Sequence, residues 1–310
     1  MMDYKYVYGP VASRRLGKSL GIAPITNNLC NFGCIYCQLG QTSYIPNEPL
    51  EHFETDEILN EITDVLKQNV TFDTISLVGD GEPILHSSLK TIITHIKKLT
   101  DKPIALITNG SLLYMDSIID AIQEVDILLP SLDAYDASSF KRINRPFGGL
   151  SFSKIIEGLR KVSTTYKGQI WLEIMFLKDV NDHEMAIEHF KDILKTIRYD
   201  RLYLNTPVRP TREENVYKID AEKIKYVQSK LGGIPIHFLS EEPYMAVGED
   251  IIAALIALIR RHPLHYHEIT GYLKDRHVEN IDEVMQRLES NTEITTKIYQ
   301  GFLMFLYKKG

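Results

Sequence analysis

The sequence predicts an α/β protein in which a parallel sheet is covered by helices, followed by a small C-terminal α+β unit. Three observations carry this reading. Short apolar runs alternate with amphipathic helical segments from about residue 55 to residue 239. The residues of unusual chemistry fall where those runs end, which is where α/β sheets and barrels bind ligands. From about residue 244 the alternation gives way to short helices and a hairpin pattern.

Taken in order, the chain starts with a Tyr-rich segment that reads as polar and leads into ASRRLGKS at 12–19. That stretch is a loose phosphate-binding loop, but such a loop needs a buried strand before it and a helix after it. The next residues, LGIAPI at 20–25, are strand-like and carry a proline hostile to a helix interior. Arg14, Arg15 and Lys18 are instead candidates for meeting a carboxylate or phosphate of a ligand, with a solvated basic loop as the other reading.

Residues 28–40, NLCNFGCIYCQLG, hold Cys30, Cys34 and Cys37 at Cx3Cx2C spacing, and these 3 are all the cysteines of the protein. Thiols gathered in one polar stretch are metal ligands rather than core filler or disulfide partners. Structural zinc closes with four ligands and a [4Fe-4S] cluster takes one thiolate per iron, so three cysteines leave one coordination position open for a ligand. Three reduced thiols, or a zinc site completed by a distant histidine, are the alternatives.

Thr55 then reads as the cap of a helix with Asp56 and Glu57 in its first turn and Ile58, Leu59, Ile62, Val65 and Leu66 on one face. TISLV at 74–78 is a strand running into Gly79-Asp80-Gly81-Glu82-Pro83, with a helix at 87–98 behind it. PIALIT at 103–108 ends in Thr108-Asn109-Gly110 before a helix near 115–123. VDILLPS at 125–131 leads through Ser131 to Asp133. Helices at 154–165, 183–197 and 221–230 alternate with strands at 170–176 and 202–204 and an apolar run at 234–239. Glu173 is an acid inside an apolar strand, so it faces either the site or solvent. Asn205-Thr206-Pro207 ends a later strand on the same rim, and Arg142, Arg145 and Arg209 are candidates for holding an anionic substrate.

Composition narrows the class. With 310 residues, 44% hydrophobic and 25% charged, the chain fits one large core plus an appendage. A net charge of −6 argues against a generally basic nucleic-acid binder. The start of the chain lacks a signal-peptide pattern, and no apolar run reaches membrane-spanning length, so a cytoplasmic protein with no membrane partner is expected.

The cysteine motif, with aromatic Tyr36 just before the last cysteine, resembles that of the radical S-adenosylmethionine (SAM) superfamily. GDGEP resembles the superfamily's GGEP motif, with Asp80 where a second glycine is more usual, and Ser131 and Asp133 resemble its SLDA segment. The resemblance implies a partial (β/α)6-type TIM barrel over residues 1–240. It implies that Cys30, Cys34 and Cys37 each hold one iron of a [4Fe-4S] cluster, with the amino and carboxylate groups of SAM on the fourth. It places Gly79, Asp80, Gly81 and Glu82 at the SAM amino group and Ser131 and Asp133 on the ribose side, with Tyr36, Thr108, Asn109 and Asn205 as further cofactor contacts. It implies reductive cleavage of SAM to a 5′-deoxyadenosyl radical that abstracts hydrogen from a substrate, with an electron donor such as flavodoxin or ferredoxin. SRRLGKSLGI, INRP at 143–146 and NTPVRP at 205–210 extend the resemblance to iron-sulfur oxidoreductases related to the wyosine-forming tRNA enzymes. The chain has no cysteine for an auxiliary cluster, so the substrate range stays open between RNA, tRNA included, and a small anionic metabolite.

Residues 244–310 read as three short helices and a hairpin at 294–307, which resembles a winged helix. Its second helix carries Glu279, Asp282, Glu283 and Glu289 against Arg287, so direct DNA readout is not expected. His262, His265, His267 and His277 read as a wet helical surface rather than a metal site. The competing function is a metal- or Fe-S-gated winged-helix regulator without SAM turnover.

Overall fold

The computed structural model describes residues 4–44, 46–50, 54–68, 70–236 and 250–308. The chain begins with an antiparallel pair, β1 (Val7–Ser13) and β2 (Gly17–Ile22). This corrects the polar reading of the first segment. The Glu61 carboxylate accepts the N–H groups of Lys5, Tyr6 and Val7 at 2.8, 2.7 and 3.1 Å. Tyr6 and Tyr8 are buried, with hydroxyls donating to Glu57 and to the Val78 carbonyl. Tyrosines that bury a ring and satisfy the hydroxyl do not show up as an apolar run. The turn between the strands is held by the Ser13 hydroxyl, which accepts the N–H of Arg15 and Leu16.

A two-residue pair, β3 (Leu29–Cys30) and β4 (Ser43–Tyr44), flanks the cysteine loop. The alternation then runs as expected, through α1 (Thr55–Lys67), β5 (Thr74–Leu77), α2 (Leu89–Leu99), β6 (Ile104–Thr108), α3 (Asp116–Ala121) and β7 (Ile127–Pro130). It continues with α4 (Ala137–Ile143), α5 (Phe152–Thr165), β8 (Gln169–Met175), α6 (Glu184–Leu194), β9 (Arg201–Asn205), α7 (Ala221–Leu231) and β10 (Ile234–Pro235). Thr55 is the first residue of α1 rather than its cap, which is Glu54. The apolar run expected at 234–239 forms β10, and its remainder from residue 237 lies outside the described residues. Helix α4 was not expected. Its start carries a capping box, in which the Asp136 carboxylate accepts the Ser139 N–H and the Ser139 hydroxyl accepts the Asp136 N–H.

The eight strands form one sheet in the order β1-β2-β5-β6-β7-β8-β9-β10, parallel from β2 onward. The two-residue period of a strand sorts its side chains. Ile75, Leu77, Ile104, Leu106, Leu128, Ile170, Leu172, Ile174, Leu202 and Leu204 enter the main core with the apolar stripes of the helices. The alternate positions, Ala105, Ile107, Ile127, Leu129, Trp171 and Tyr203, form a smaller cluster on the opposite face, into which no helix packs among the described residues. Glu173, Met175 and Asn205 share the parity of Trp171 and Tyr203. The register of the strands therefore delivers those polar groups to the face opposite the main core.

The C-terminal residues run α8 (Ile251–Arg261), β11 (Leu264–His265), α9 (Tyr266–Asp275), α10 (Ile281–Glu289), β12 (Ile294–Tyr299) and β13 (Phe302–Tyr307), with a three-stranded sheet in the order β11-β13-β12. Their apolar core takes in Tyr8 of β1 and Ala23, which follows β2 directly. Two of the histidines expected on a wet surface are elsewhere: His265 is buried as the cap of α9, and His262 faces a cavity on the side of the large sheet opposite the main core. No helix among the described residues is long and apolar enough to cross a membrane.

Candidate active site

A cavity of about 370 Å³ opens on the sheet face opposite the main core, where, among the described residues, α8 packs only at the β1 end. Its wall contains Cys30, Cys34, Cys37 and Tyr36, together with Gly79, Gly81, Glu82, Thr108, Asn109, Ser131 and Asn205. Residues as far apart in sequence as Tyr8 and His262 thus share one chamber.

The cysteine loop is pinned from several sides. Gly33 donates its N–H to Asn144 O at 2.9 Å, Ile35 to Ile143 O at 2.9 Å, and Phe147 to Asn31 O at 2.8 Å. Arg212 donates to Gly33 O at 3.1 Å. Asn31 accepts from Asn109 Nδ2 at 2.9 Å and donates to the Ser111 hydroxyl at 2.9 Å. The thiols themselves receive donors, Phe32 N–H at 3.4 Å and Asn109 Nδ2 at 3.6 Å on Cys30 Sγ, and Asn144 Nδ2 at 3.5 Å on Cys34 Sγ. Such N–H groups stabilise a thiolate and set the potential of a cluster bound to it.

Burial and the nearby carboxylate of Asp133 push the Cys34 thiol up to about 12, and burial with Glu82 raises Cys30 as well. Thiols raised in this way, Cys30 and Cys34, stay protonated unless a cation is bound beside them, and a bound metal deprotonates them outright. Three cysteines on one wall, two with N–H donors at their sulfurs, are the donor set of a cluster that takes three protein thiolates, although among the described residues no three His, Cys, Asp or Glu side chains are already gathered as a metal site.

Glu82 is the buried acid of the rim. Its carboxylate accepts from the Thr108 hydroxyl at 2.5 Å, Asn109 N–H at 2.6 Å and Ile84 N–H at 3.3 Å. Burial outweighs these bonds and lifts it to about 7. Gly81 lies against the cysteine loop, where a Cβ would run into the Leu29 carbonyl, and a Cβ at Gly79 would meet Ala23. Glu82 N–H donates to that same Leu29 carbonyl at 3.2 Å.

Two of the expected cofactor contacts are turned away from the chamber. Asp133 is absent from the wall, because its carboxylate accepts from the Tyr36 hydroxyl, Met175 N–H at 2.9 Å and Asn144 Nδ2 at 3.4 Å. Asp80 is buried with Oδ1 3.8 Å from Arg261 Nε, so the residue that departs from the glycine pattern engages the C-terminal unit. Of the three candidate arginines, Arg209 lines the chamber, while Arg145 pairs with Glu213 and Arg142 lies exposed on α4.

Several wall residues had an ambiguous signal in the sequence or none. Glu173, which could have faced solvent, faces the chamber and pairs with Arg15, and its Oε1 accepts from Asn205 Nδ2 at 3.1 Å. Arg14 donates to Asn205 Oδ1 at 3.2 Å. Arg261 and His262 reach the wall from the end of α8, where Gln38 Nε2 donates to His262 Nδ1 at 3.0 Å. Burial, with Arg209, Arg14 and Arg15 nearby, holds His262 neutral. Lys18 is exposed and not part of the wall, and the loop that holds it joins two strands, so no helix N-terminus faces a phosphate there.

The model of the radical SAM superfamily matches residues 25–193, which contain the three cysteines and the Gly79, Thr108 and Ser131 strand ends. The chain belongs to the radical SAM superfamily. It is a radical SAM enzyme, and its cofactors are a [4Fe-4S] cluster and SAM. A UPF0026 protein of Helicobacter pylori (strain ATCC 700392 / 26695) is 31% identical over 94% of each chain. A protein named GTPase Obg from Brachyspira hyodysenteriae is 34% identical over 97% of this chain, which spans only 45% of that protein. A radical SAM methyltransferase from Sphaerobacter thermophilus shares the α/β fold, with a TM-score of 0.51 at 16% identity over 72% of this chain and 66% of the other.

Proposed function

We propose that this protein cleaves SAM reductively and uses the resulting radical on a substrate enclosed between the sheet and the C-terminal unit. The observation that carries the reading is the shared wall of the three cysteines, Glu82 and the strand ends at Thr108, Ser131 and Asn205. The cluster and SAM together supply one-electron cleavage of the sulfonium bond to methionine and a 5′-deoxyadenosyl radical, the hydrogen-abstracting species.

The chain's own residues have distinct tasks in this reading. Cys30, Cys34 and Cys37 hold the irons, with Phe32 N–H, Asn109 and Asn144 stabilising the sulfurs. Glu82 and the backbone around Gly79 and Gly81 receive the SAM ammonium, and that cation draws the Glu82 carboxyl back to its charged form. Ser131 and Asn205 contact the nucleoside. Asp133 is a positioning residue that orients Tyr36 beside the cluster. The apolar walls from Val11, Leu16, Ile107 and Met175 exclude water from the radical. A one-electron carrier such as flavodoxin or ferredoxin supplies the electron, and the cytoplasm is the expected location.

The finer architecture belongs to the same reading. One face covered by the helices of the main core and one left to a chamber suits a sheet curled as a partial barrel, and the order α8-β11-α9-α10-β12-β13 suits a winged helix. With all 3 cysteines assigned to one cluster, a wyosine-type auxiliary cluster has no thiols to hold it.

Anaerobic reconstitution with iron and sulfide should give about four irons per chain, and reductant plus SAM should then release 5′-deoxyadenosine and methionine. Alanine at any one of the three cysteines should abolish both. A reduced, fully loaded cluster that leaves SAM intact would sink the proposal.

A further inference from the structure

The turn between β1 and β2 carries two arginines into the chamber, and neither has a task in the SAM cleavage proposed above. Arg15 Nη1 pairs with Glu173, while Arg15 Nε is buried with no hydrogen-bond acceptor among the described residues. Buried guanidinium donors are almost always satisfied, because leaving a charged donor without an acceptor costs more than leaving a neutral one. The edge of a guanidinium that includes Nε is also the one that grips planar and tetrahedral oxyanions in a two-bond fork.

Arg14 is tied into the same wall. It donates to Asn205 Oδ1, and Asn205 Nδ2 donates to Glu173, so both guanidiniums are braced by one Glu173–Asn205 pair. Their backbone is fixed by the Ser13 hydroxyl, which accepts the Arg15 and Leu16 N–H groups at 3.3 and 3.2 Å. Leu16, Ile107, Val11 and Met175 line the same wall, and an apolar setting strengthens a charge-assisted bond.

We propose that Arg15, with Arg14 beside it, is the seat for an oxyanion of the substrate, a phosphate or carboxylate group. The proposal rests on the reductive SAM cleavage proposed for this chamber, in which the SAM carboxylate is held at the cluster, so the oxyanion at Arg15 belongs to the second reactant. It gives the loose phosphate-loop pattern of the sequence a different task, since the anion is met by side chains of a strand-to-strand turn rather than by backbone N–H groups before a helix. A substrate with such a group would be anchored at the turn while its reacting carbon faces the SAM side of the chamber.

The test uses the cluster-loaded protein with saturating SAM under anaerobic conditions. Inorganic phosphate and, separately, malonate are titrated by calorimetry. Saturable binding of one of them is expected, and the tighter of the two identifies the group as phosphate or carboxylate. Arg15→Gln should weaken that binding by about tenfold and Arg15→Lys, which keeps the charge but loses the fork, by about threefold. Lys18→Ala, on the exposed side of the turn, should leave it unchanged. Arg15→Lys keeps the test open if the glutamine variant does not fold. Absence of saturable binding, equal affinity in both Arg15 variants and wild type, or displacement of the anion by SAM would each overturn the proposal. The same samples are assayed for 5′-deoxyadenosine. Turnover of SAM without anion binding removes this inference alone, whereas anion binding without turnover removes the reading on which it rests.

Discussion

At the scale of single residues, Glu82 links pH to stability. Its carboxyl is raised to about 7 by burial, from an ordinary value of 4.5. A raised acid binds its proton more tightly in the folded state, so its contribution is complete below pH 4.5, falls as pH rises and is gone above pH 7. The full swing is on the order of 3 kcal/mol. Unfolding of the cluster-free protein should therefore grow easier between these limits, and Glu82→Gln should flatten that trend. Denaturation midpoints of the two proteins across pH 4.5 to 8 check this, and parallel curves would refute it. Cys30, Cys34 and Cys37 were legible in the sequence as candidate metal ligands because of their type and spacing, and Glu82 through the resemblance of its GDGEP turn to GGEP. Arg15 and Glu173 were legible only as alternatives, and the places of Arg261 and His262 not at all, because a single charged residue or histidine carries no decisive signal until something is seen across from it.

At the scale of elements, the close approach of the GDGEP turn to the cysteine loop joins two parts of the site. Gly81 forms a bridge to Leu29, with the Leu29 carbonyl where a side chain would begin. Gly81→Ala should push the loop away, lowering stability by about 1–3 kcal/mol and reducing iron retained per chain after gel filtration. A variant with wild-type iron content and stability would show that the loop yields without consequence. The strands and most helices were readable from periodicity. Strand β1 escaped because tyrosines and polar residues bury there against both α1 and the C-terminal core. Helix α4 escaped because it is 7 residues long and rests on a capping box more than on an apolar stripe.

At the scale of the molecule, the C-terminal unit is held to the rim by buried charge. Arg209 and Glu268 form a two-bond pair at 3.0 and 2.7 Å, with side chains 6% and 3% exposed, and Arg261 lies 4.9 Å over the ring of Tyr8. Removing one charge of a buried pair costs about 3–5 kcal/mol, while replacing both with apolar groups costs much less. Glu268→Gln should lower the denaturation midpoint strongly, and Arg209→Met with Glu268→Leu should recover a large part of the loss. If the single and double variants lose equally, the pair is not what couples the unit to the rim. Because Arg261 and His262 belong to the chamber wall, the single variant should also weaken SAM binding, read by equilibrium dialysis.

The sequence by itself determined the α/β class, through period two for strands and near four for helices, and it put forward Cys30, Cys34 and Cys37 as cluster ligands and the rim motifs as cofactor contacts through their resemblance to a family's motifs. Only the tertiary structure decided that Asp80 and Asp133 support the wall rather than line it, that the Arg14-Arg15 turn enters the chamber, and that the C-terminal unit closes one side. The reason is physical. Which way a polar side chain points depends on partners brought together from as far apart as Arg15 and Glu173, and no local pattern records them.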